Sequence, residues 1–259
     1  TTHLNCSLTG QQINDYSGVI QQLHNKLETT NDLTGWLHYP EENHDDLLSQ
    51  IEQVAAEIRQ ESDVLIVVGV GGSFLGARAI LDALTPYFGR QMQGIEVIYV
   101  GQNMSGAYIN QLLKYIVDKR VYVNVISKSG GTMEPALAFR AMRQYMEAKY
   151  GEDAQRRIIV TTDAEKGILK ALADKAGYRQ FVIPNNIGGR FSVLTPVGLL
   201  PLAAADVDIR ALLAGAKQAA EQLANPNLEE NDAYKYAVMR HILYKQGYSI
   251  ELLASFEPS

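Results

Sequence analysis

The sequence predicts an α/β chain: a doubly wound, mostly parallel five-stranded sheet with flanking helices, plus helical segments at its N-terminal and C-terminal ends. Three observations lead there. Short apolar runs rich in β-branched residues recur between positions 64 and 184. Helix-length segments separate them, and glycine-rich turns follow three of them. Unbroken apolar runs suit strands buried on both faces, and strands alternating with helices read as βαβ units.

The elements follow in order. Residues 9–29 read as a helix, after which Gly35, Trp36 and Pro40 mark an irregular link. Asp45 or Asp46 is placed to cap the next helix, where Leu47, Leu48, Ile51, Val54, Ala55 and Ile58 recur at helical spacing. The strands are then Val64–Val68, Ile95–Val100, Val121–Ile126, Ile158–Thr162 and Phe181–Pro184. The helices between them fall near 75–87, 105–118, 132–149 and 164–177. From Val193 the chain turns helical again, near 193–205, at 208–224 before Asn225-Pro226, and at 232–246 before Gly247. Ser249–Phe256 reads as a further strand with nothing after it to pair with or cover it. A ladder left open in this way reads as a truncation.

Composition narrows the function. The 259 residues are 46% hydrophobic and 20% charged, enough for a sizeable core. The net charge of -6 argues against a nucleic-acid partner, which needs a basic face, but leaves room for a small anion held by local donors. Cys6 is the single cysteine, so no internal disulfide forms, a cytoplasmic compartment is expected, and Cys6 itself reads as a bystander. No apolar run reaches the ~18 residues of a membrane span, and Thr1–Gly10 lacks a leader pattern. His3, His24, His38, His44 and His241 lack the paired spacing of a zinc site, so no metal is expected. His241 reads as a core or interface histidine, and no G-x-S-x-G elbow is present.

Three glycine-rich turns fall at strand carboxyl ends, where open α/β sheets bind ligands. The first, Gly69-Val70-Gly71-Gly72-Ser73-Phe74-Leu75-Gly76, fits neither nucleotide motif. Phe74 stands where a dinucleotide fingerprint wants glycine, no acidic residue follows the next strand, and Ala77-Arg78 replace the Lys-Ser/Thr of a P-loop. What remains is either an anion site at Gly72 and Ser73 or a tight turn. The second, Ser127-Lys128-Ser129-Gly130-Gly131-Thr132, brings hydroxyls and free amides to the positive end of a helix. Lys128 either adds charge or points to solvent, and Ser129 or Thr132 is alternatively an ordinary N-cap. The third, Gly188-Gly189-Arg190-Phe191-Ser192, offers an arginine either to an oxyanion or to a salt bridge.

Together these stretches resemble bacterial glucose-6-phosphate isomerases. Val64 to Gly76 looks like their first glycine turn, Ser127 to Glu134 like their phosphate loop, and Gly188 to Leu194 like their arginine signature. The likeness extends to Thr34-Gly35-Trp36-Leu37 and the closing Tyr-rich helix. It implies a homodimeric cytoplasmic enzyme without metal or organic cofactor that interconverts glucose 6-phosphate and fructose 6-phosphate. By the same likeness Ser127, Ser129 and Thr132 hold the phosphate, with Gly72 and Ser73 close by, and Lys128 is counted with them for the charge it can add. Arg190 stabilises the enediolate. The base glutamate, a histidine and a lysine of such enzymes match no position here, and neither Glu134 nor Glu251 is promoted to the base. The isolated chain is therefore expected to bind sugar phosphate weakly, if at all, and not to turn it over. The implied layout is an N-terminal helical segment at 1–45, a sugar-isomerase (SIS) domain at 46–206, and the helices and first strand of a second domain at 207–259. A non-catalytic SIS module that senses a sugar phosphate is the alternative. A nicotinamide-dependent dehydrogenase fails for want of the ribose-binding acid.

Overall fold

The computed structural model describes residues 8–30, 33–86 and 94–256. Cys6, His3 and the end of the helix expected at 75–87 lie outside them. The chain divides into two compact units: residues 1–41 with 214–259, and residues 42–213.

In the first unit the helix expected over 9–29 is two, α1 (Gly10–Asn14) and α2 (Ser17–Thr29). Thr9 and Gln12 form a reciprocal capping box on α1, and the Asp15 amide ends it by bonding back to Gln11. The larger unit opens with α3 (Asp45–Glu61). Neither Asp45 nor Asp46 caps it. His44 is the N-cap residue, Asn43 accepts from the Asp45 amide at 2.9 Å, and both aspartates sit in the first turn, where the helix dipole favours them.

The sheet follows as β1 (Val64–Val68), β2 (Glu96–Val100), β3 (Val121–Ile126), β4 (Ile158–Thr162) and β5 (Arg179–Val182). All pairings are parallel and the order is β2-β1-β3-β4-β5. The fifth strand starts earlier than expected, because Arg179 and Gln180 already pair with Ile159 and Val160.

Between the strands lie α4 (Leu75–Leu84), α5 (Gly106–Tyr115), α6 (Met133–Tyr150) and α7 (Ile168–Ala176), followed by α8 (Pro196–Ala204). Alternation of side chains along each strand divides the core in two. Leu65, Val67, Tyr122, Ile126 and Ile159 face the layer of α3, α4 and α8. Val64, Ile66, Val123, Val125 and Val160 face the layer of α5, α6 and α7. The sheet is therefore covered on both faces, which is why its strands read as unbroken apolar runs. Every residue of α8 is buried, so that helix carries no polar stripe.

One polar pair interrupts the first face. Asn124 and Thr161 are fully buried, and the Thr161 hydroxyl donates to Asn124 Oδ1 at 3.0 Å.

The helix expected from 164 begins only at Ile168. The Asp163 carboxylate accepts the Glu165 and Lys166 amides at 2.9 and 3.1 Å, and Gly167 at φ +111° cannot start a helix.

Beyond α8 come α9 (Ile209–Leu223), within which the two units divide, and α10 (Asp232–Lys245). In the first unit Ile20, Leu228, Val238 and Ile242 form a small core, and His241 sits edge-on to Tyr16 at 5.6 Å. The strand expected at Ser249–Phe256 is absent. Those residues have no strand partner, and Ile250, Leu252, Leu253 and Phe256 are exposed. β-Branched and aromatic content favours a strand only where a neighbouring ladder and a covering layer exist.

Candidate functional site

In a sheet ordered 2-1-3-4-5 the winding direction reverses between β1 and β3, and the crevice at their carboxyl ends is the expected ligand position. The Gly69–Ser73 turn leaves β1 there and the Ser127–Thr132 turn leaves β3. A cleft of about 770 Å³ opens at this place. Of the residues singled out from sequence, Ser73, Ser127, Lys128, Ser129 and Thr132 line it, while Gly72 and Arg190 do not.

The second turn is shaped by glycine. Gly130 has φ +72°, and a Cβ there would fall 2.4 Å from the Leu169 nitrogen, so the loop lies directly on the start of α7. Ser127 accepts the Gly130 amide at 3.0 Å and Ser129 accepts the Gly131 amide at 3.1 Å. Those two amides are therefore already bonded within the loop. The Thr132 hydroxyl caps nothing, although Thr132 occupies the N-cap position of α6. The amides of Met133 and Glu134 lack helical partners, as the first turn of any helix does. Thr132 and the head of α6 thus present donors at the positive end of an 18-residue helix.

Lys128 points neither to solvent nor directly at the cleft. Its ammonium donates to the carbonyls of Pro184, Asn185 and Ile187 at 3.3, 2.9 and 3.4 Å. All three of its protons are directed at the segment that follows β5, while its charge remains at the cleft wall.

Gly72 plays a packing part that sequence reading missed. A Cβ on Gly72 would lie 2.0 Å from the Gly189 carbonyl oxygen, so the 3-10 turn Gly71–Ser73 abuts the 3-10 turn Gly189–Phe191 backbone to backbone. Ser192, nearly fully buried, closes that second turn by donating to Gly189 O at 2.7 Å. Arg190 rides on it, exposed, with no hydrogen bond or ion pair among the described residues.

Sequence reading also passed over Asp163, Lys166 and Asn185, which line the cleft from the ends of β4 and β5. Their position one to four residues beyond a strand was the available signal. The Asp163 carboxyl is held below the usual aspartate range, first by the Glu165 and Lys166 amides, with the Lys166 and Lys128 charges helping and burial opposing. A depressed carboxyl stabilises the fold above its unfolded value of ~3.9, and that contribution is lost as pH falls through the lower folded value.

Asp163→Asn keeps an oxygen acceptor for the two amides and removes a negative charge from the cleft. We expect stability that declines less between neutral pH and about pH 3 than in the parent. Inorganic phosphate should bind a few-fold more tightly. Urea midpoints at both pH values and a phosphate titration check the two effects; weaker phosphate binding in the variant would refute the second.

Residues 48–254 match the family described as phosphoglucose isomerase. The chain is 50% identical over 250 residues to the glucose-6-phosphate isomerase of Clostridium perfringens, covering 93% of this chain and 56% of that protein. It is 46% identical over 250 residues to that of Staphylococcus aureus, covering 96% and 56%. The chain thus spans about half the length of the curated relatives it matches. Among solved structures, a hypothetical protein from Thermus thermophilus superposes with a TM-score of 0.80 at 31% identity, covering 90% of this chain and 54% of that one. A glucose-6-phosphate isomerase from Chlamydia trachomatis superposes with a TM-score of 0.74 at 20% identity, covering 92% and 51%, and supports the fold alone.

Proposed function

Because the chain belongs to the phosphoglucose isomerase family, we propose that it supplies the phosphate-binding half of an enzyme interconverting glucose 6-phosphate and fructose 6-phosphate. One observation carries this reading. The cleft at the carboxyl ends of β1 and β3 has the hydroxyls of Ser73, Ser127, Ser129 and Thr132 on its walls and the head of α6 at its edge. A doubly charged phosphate is the ligand those donors and that dipole suit best.

In this proposal Ser129, Thr132 and the first amides of α6 hold the phosphate. Ser73 closes the cleft from the β1 side, and Lys128 adds field strength from its carbonyl clamp. Holding the phosphate fixes the far end of the sugar, so binding energy remote from C1 and C2 orients the reacting carbons. Arg190, unpaired on its turn, stabilises negative charge as the enediolate forms. Transfer of the proton between C1 and C2 needs a carboxylate within hydrogen-bond reach. We assign that part to neither candidate in this chain. Glu251 receives Arg240 at 2.8 Å and the Tyr236 hydroxyl, and Glu134 lies in the first turn of α6. The working protein in this reading is a cytoplasmic homodimer, which light scattering on the whole protein tests.

Titration with fructose 6-phosphate should perturb the amide resonances of Gly130 to Glu134, whereas fructose should leave them still. The double variant Ser129→Ala with Thr132→Ala should weaken binding about tenfold or more, the loss of two charge-assisted bonds at about 1.5–3 kcal/mol each before compensation by water. Equal responses to the sugar and its phosphate ester, or shifts confined to another part of the chain, would rule the reading out.

A further inference from the structure

A second cavity lies on the opposite side of the phosphate turn, between α6 and α7, with a volume of about 340 Å³. Its floor and sides are apolar: Val125 from β3, Phe139 from α6, and Ile168, Leu169 and Leu172 from α7. Arg140 and Arg143 are among the residues that line it, and no acidic residue does so among the described residues. Arg143 is committed to Glu147 at 2.7 Å. Arg140 is exposed and has no hydrogen bond or ion pair among the described residues.

We propose that this cavity is a second ligand site, selective for a small anion with a flat apolar body, such as an aryl carboxylate or aryl phosphate. The volume falls within the range of small-molecule sites, which are mostly apolar with a few convergent polar groups. It opens to solvent at Ala136, Arg140 and Ile168, so a small molecule can enter without displacing the fold. An aromatic ring fills the space between Phe139 and Leu172 and removes apolar surface from water. Arg140 then supplies a planar, permanently charged partner for the anionic group. The phosphate cleft differs in kind, because hydroxyls, lysines and an aspartate line it and a bare phosphate suits it.

The two sites share a wall. Ser127 and Pro135 line both cavities. Gly130, which also lines the second, donates to Ser127 and rests directly on Leu169. A molecule seated against Leu169 therefore touches the residue that supports the phosphate turn. The sites are separate, so both are occupied together, and any influence of one on the other is reciprocal.

The test is calorimetric titration of the 259-residue chain with 2-naphthoate, and with 2-naphthalenemethanol as its uncharged counterpart. We expect one saturable site for the acid and at least tenfold weaker binding of the alcohol. Arg140→Gln should weaken the acid about tenfold, roughly the 1.4 kcal/mol of a charged contact. Ala136→Phe, at an exposed position on α6 that lines the cavity, should fill it and abolish binding. Neither variant should remove inorganic phosphate binding, which also reports that the variant is folded. Saturating inorganic phosphate should leave naphthoate bound. Absence of saturable binding, equal binding of acid and alcohol, indifference to Ala136→Phe, or full displacement by phosphate would each overturn the proposal.

Discussion

Replacing Gly72 by alanine is expected to be among the costliest single-methyl additions at the strand-end turns. The added Cβ would meet the Gly189 carbonyl oxygen at 2.0 Å and the Gly189 carbonyl carbon at 2.4 Å. Both are backbone atoms, so no side chain can rotate aside. The two 3-10 turns must separate, and Ser192, which donates to Gly189, moves with them. Overpacking of this kind costs about 1–3 kcal/mol, more where the backbone has to shift. For a unit of this size that corresponds to a fall in Tm of roughly 2–4 °C per kcal/mol.

In the whole protein of the proposed function, turnover should fall further than stability, because the displaced turn carries Arg190. The contrast is Gly189→Ala, where an added Cβ meets nothing within 4 Å. That variant should melt within about 1 °C of the parent, as surface changes away from special features usually do. Melting curves of the two variants side by side decide the matter. Equal midpoints would mean that the turns are not in fact held together at Gly72.

Lys128→Met is expected to loosen the whole segment from Pro184 to Arg190. The methionine fills similar volume but leaves three carbonyls without the ammonium that joins them. Hydrogen bonds to a charged group contribute about 1.5–3 kcal/mol each, and water replaces part of that at a half-exposed site. Amide exchange across 185–191 should quicken, and inorganic phosphate should bind about tenfold more weakly as the charge at the cleft wall is lost. Lys128→Arg should restore the charge and not the exchange protection, since a planar guanidinium cannot replace a compact ammonium gripped by three converging carbonyls. A lysine acting only as a direct phosphate ligand predicts the opposite: weaker phosphate binding with exchange at 185–191 unchanged. The two variants together separate a clamp from a ligand.

Much of the fold was legible because the sheet is buried on both sides. Runs such as Val64–Val68 and Val121–Ile126 contain no exposed position, so they begin and end where their apolar residues do. β5 was misplaced because Arg179 and Gln180 belong to it by pairing rather than by hydrophobicity. The segment 249–256 shows the reverse error: its residues have strand chemistry, but a strand needs a partner, and partnership is not written in local composition.

Of the candidate site, the two turns at β1 and β3 were visible as glycine and hydroxyl clusters. Their neighbours were not. Asp163 and Lys166 reach the cleft through an Asx turn that looks in sequence like the start of a helix. Gly72 read as part of either an anion site or a tight turn, and its backbone contact with Gly189, more than a hundred positions away, is invisible in the local sequence.

The buried bond between Thr161 and Asn124 bears on how the strands find one another. Both faces of this sheet are apolar, so sliding β4 past β3 by two residues would return oil to oil and leave hydrophobic matching almost unchanged. The slide would break the Thr161 bond to Asn124 Oδ1 and the 2.7 Å bond from the Thr162 hydroxyl to the Ser127 carbonyl, leaving those groups unanswered in a dry layer where that is costly. These bonds favour the native register of β4 on β3. In that register the carboxyl ends of β3 and β4 lie level, and residues from the turns beyond both ends line the same cleft.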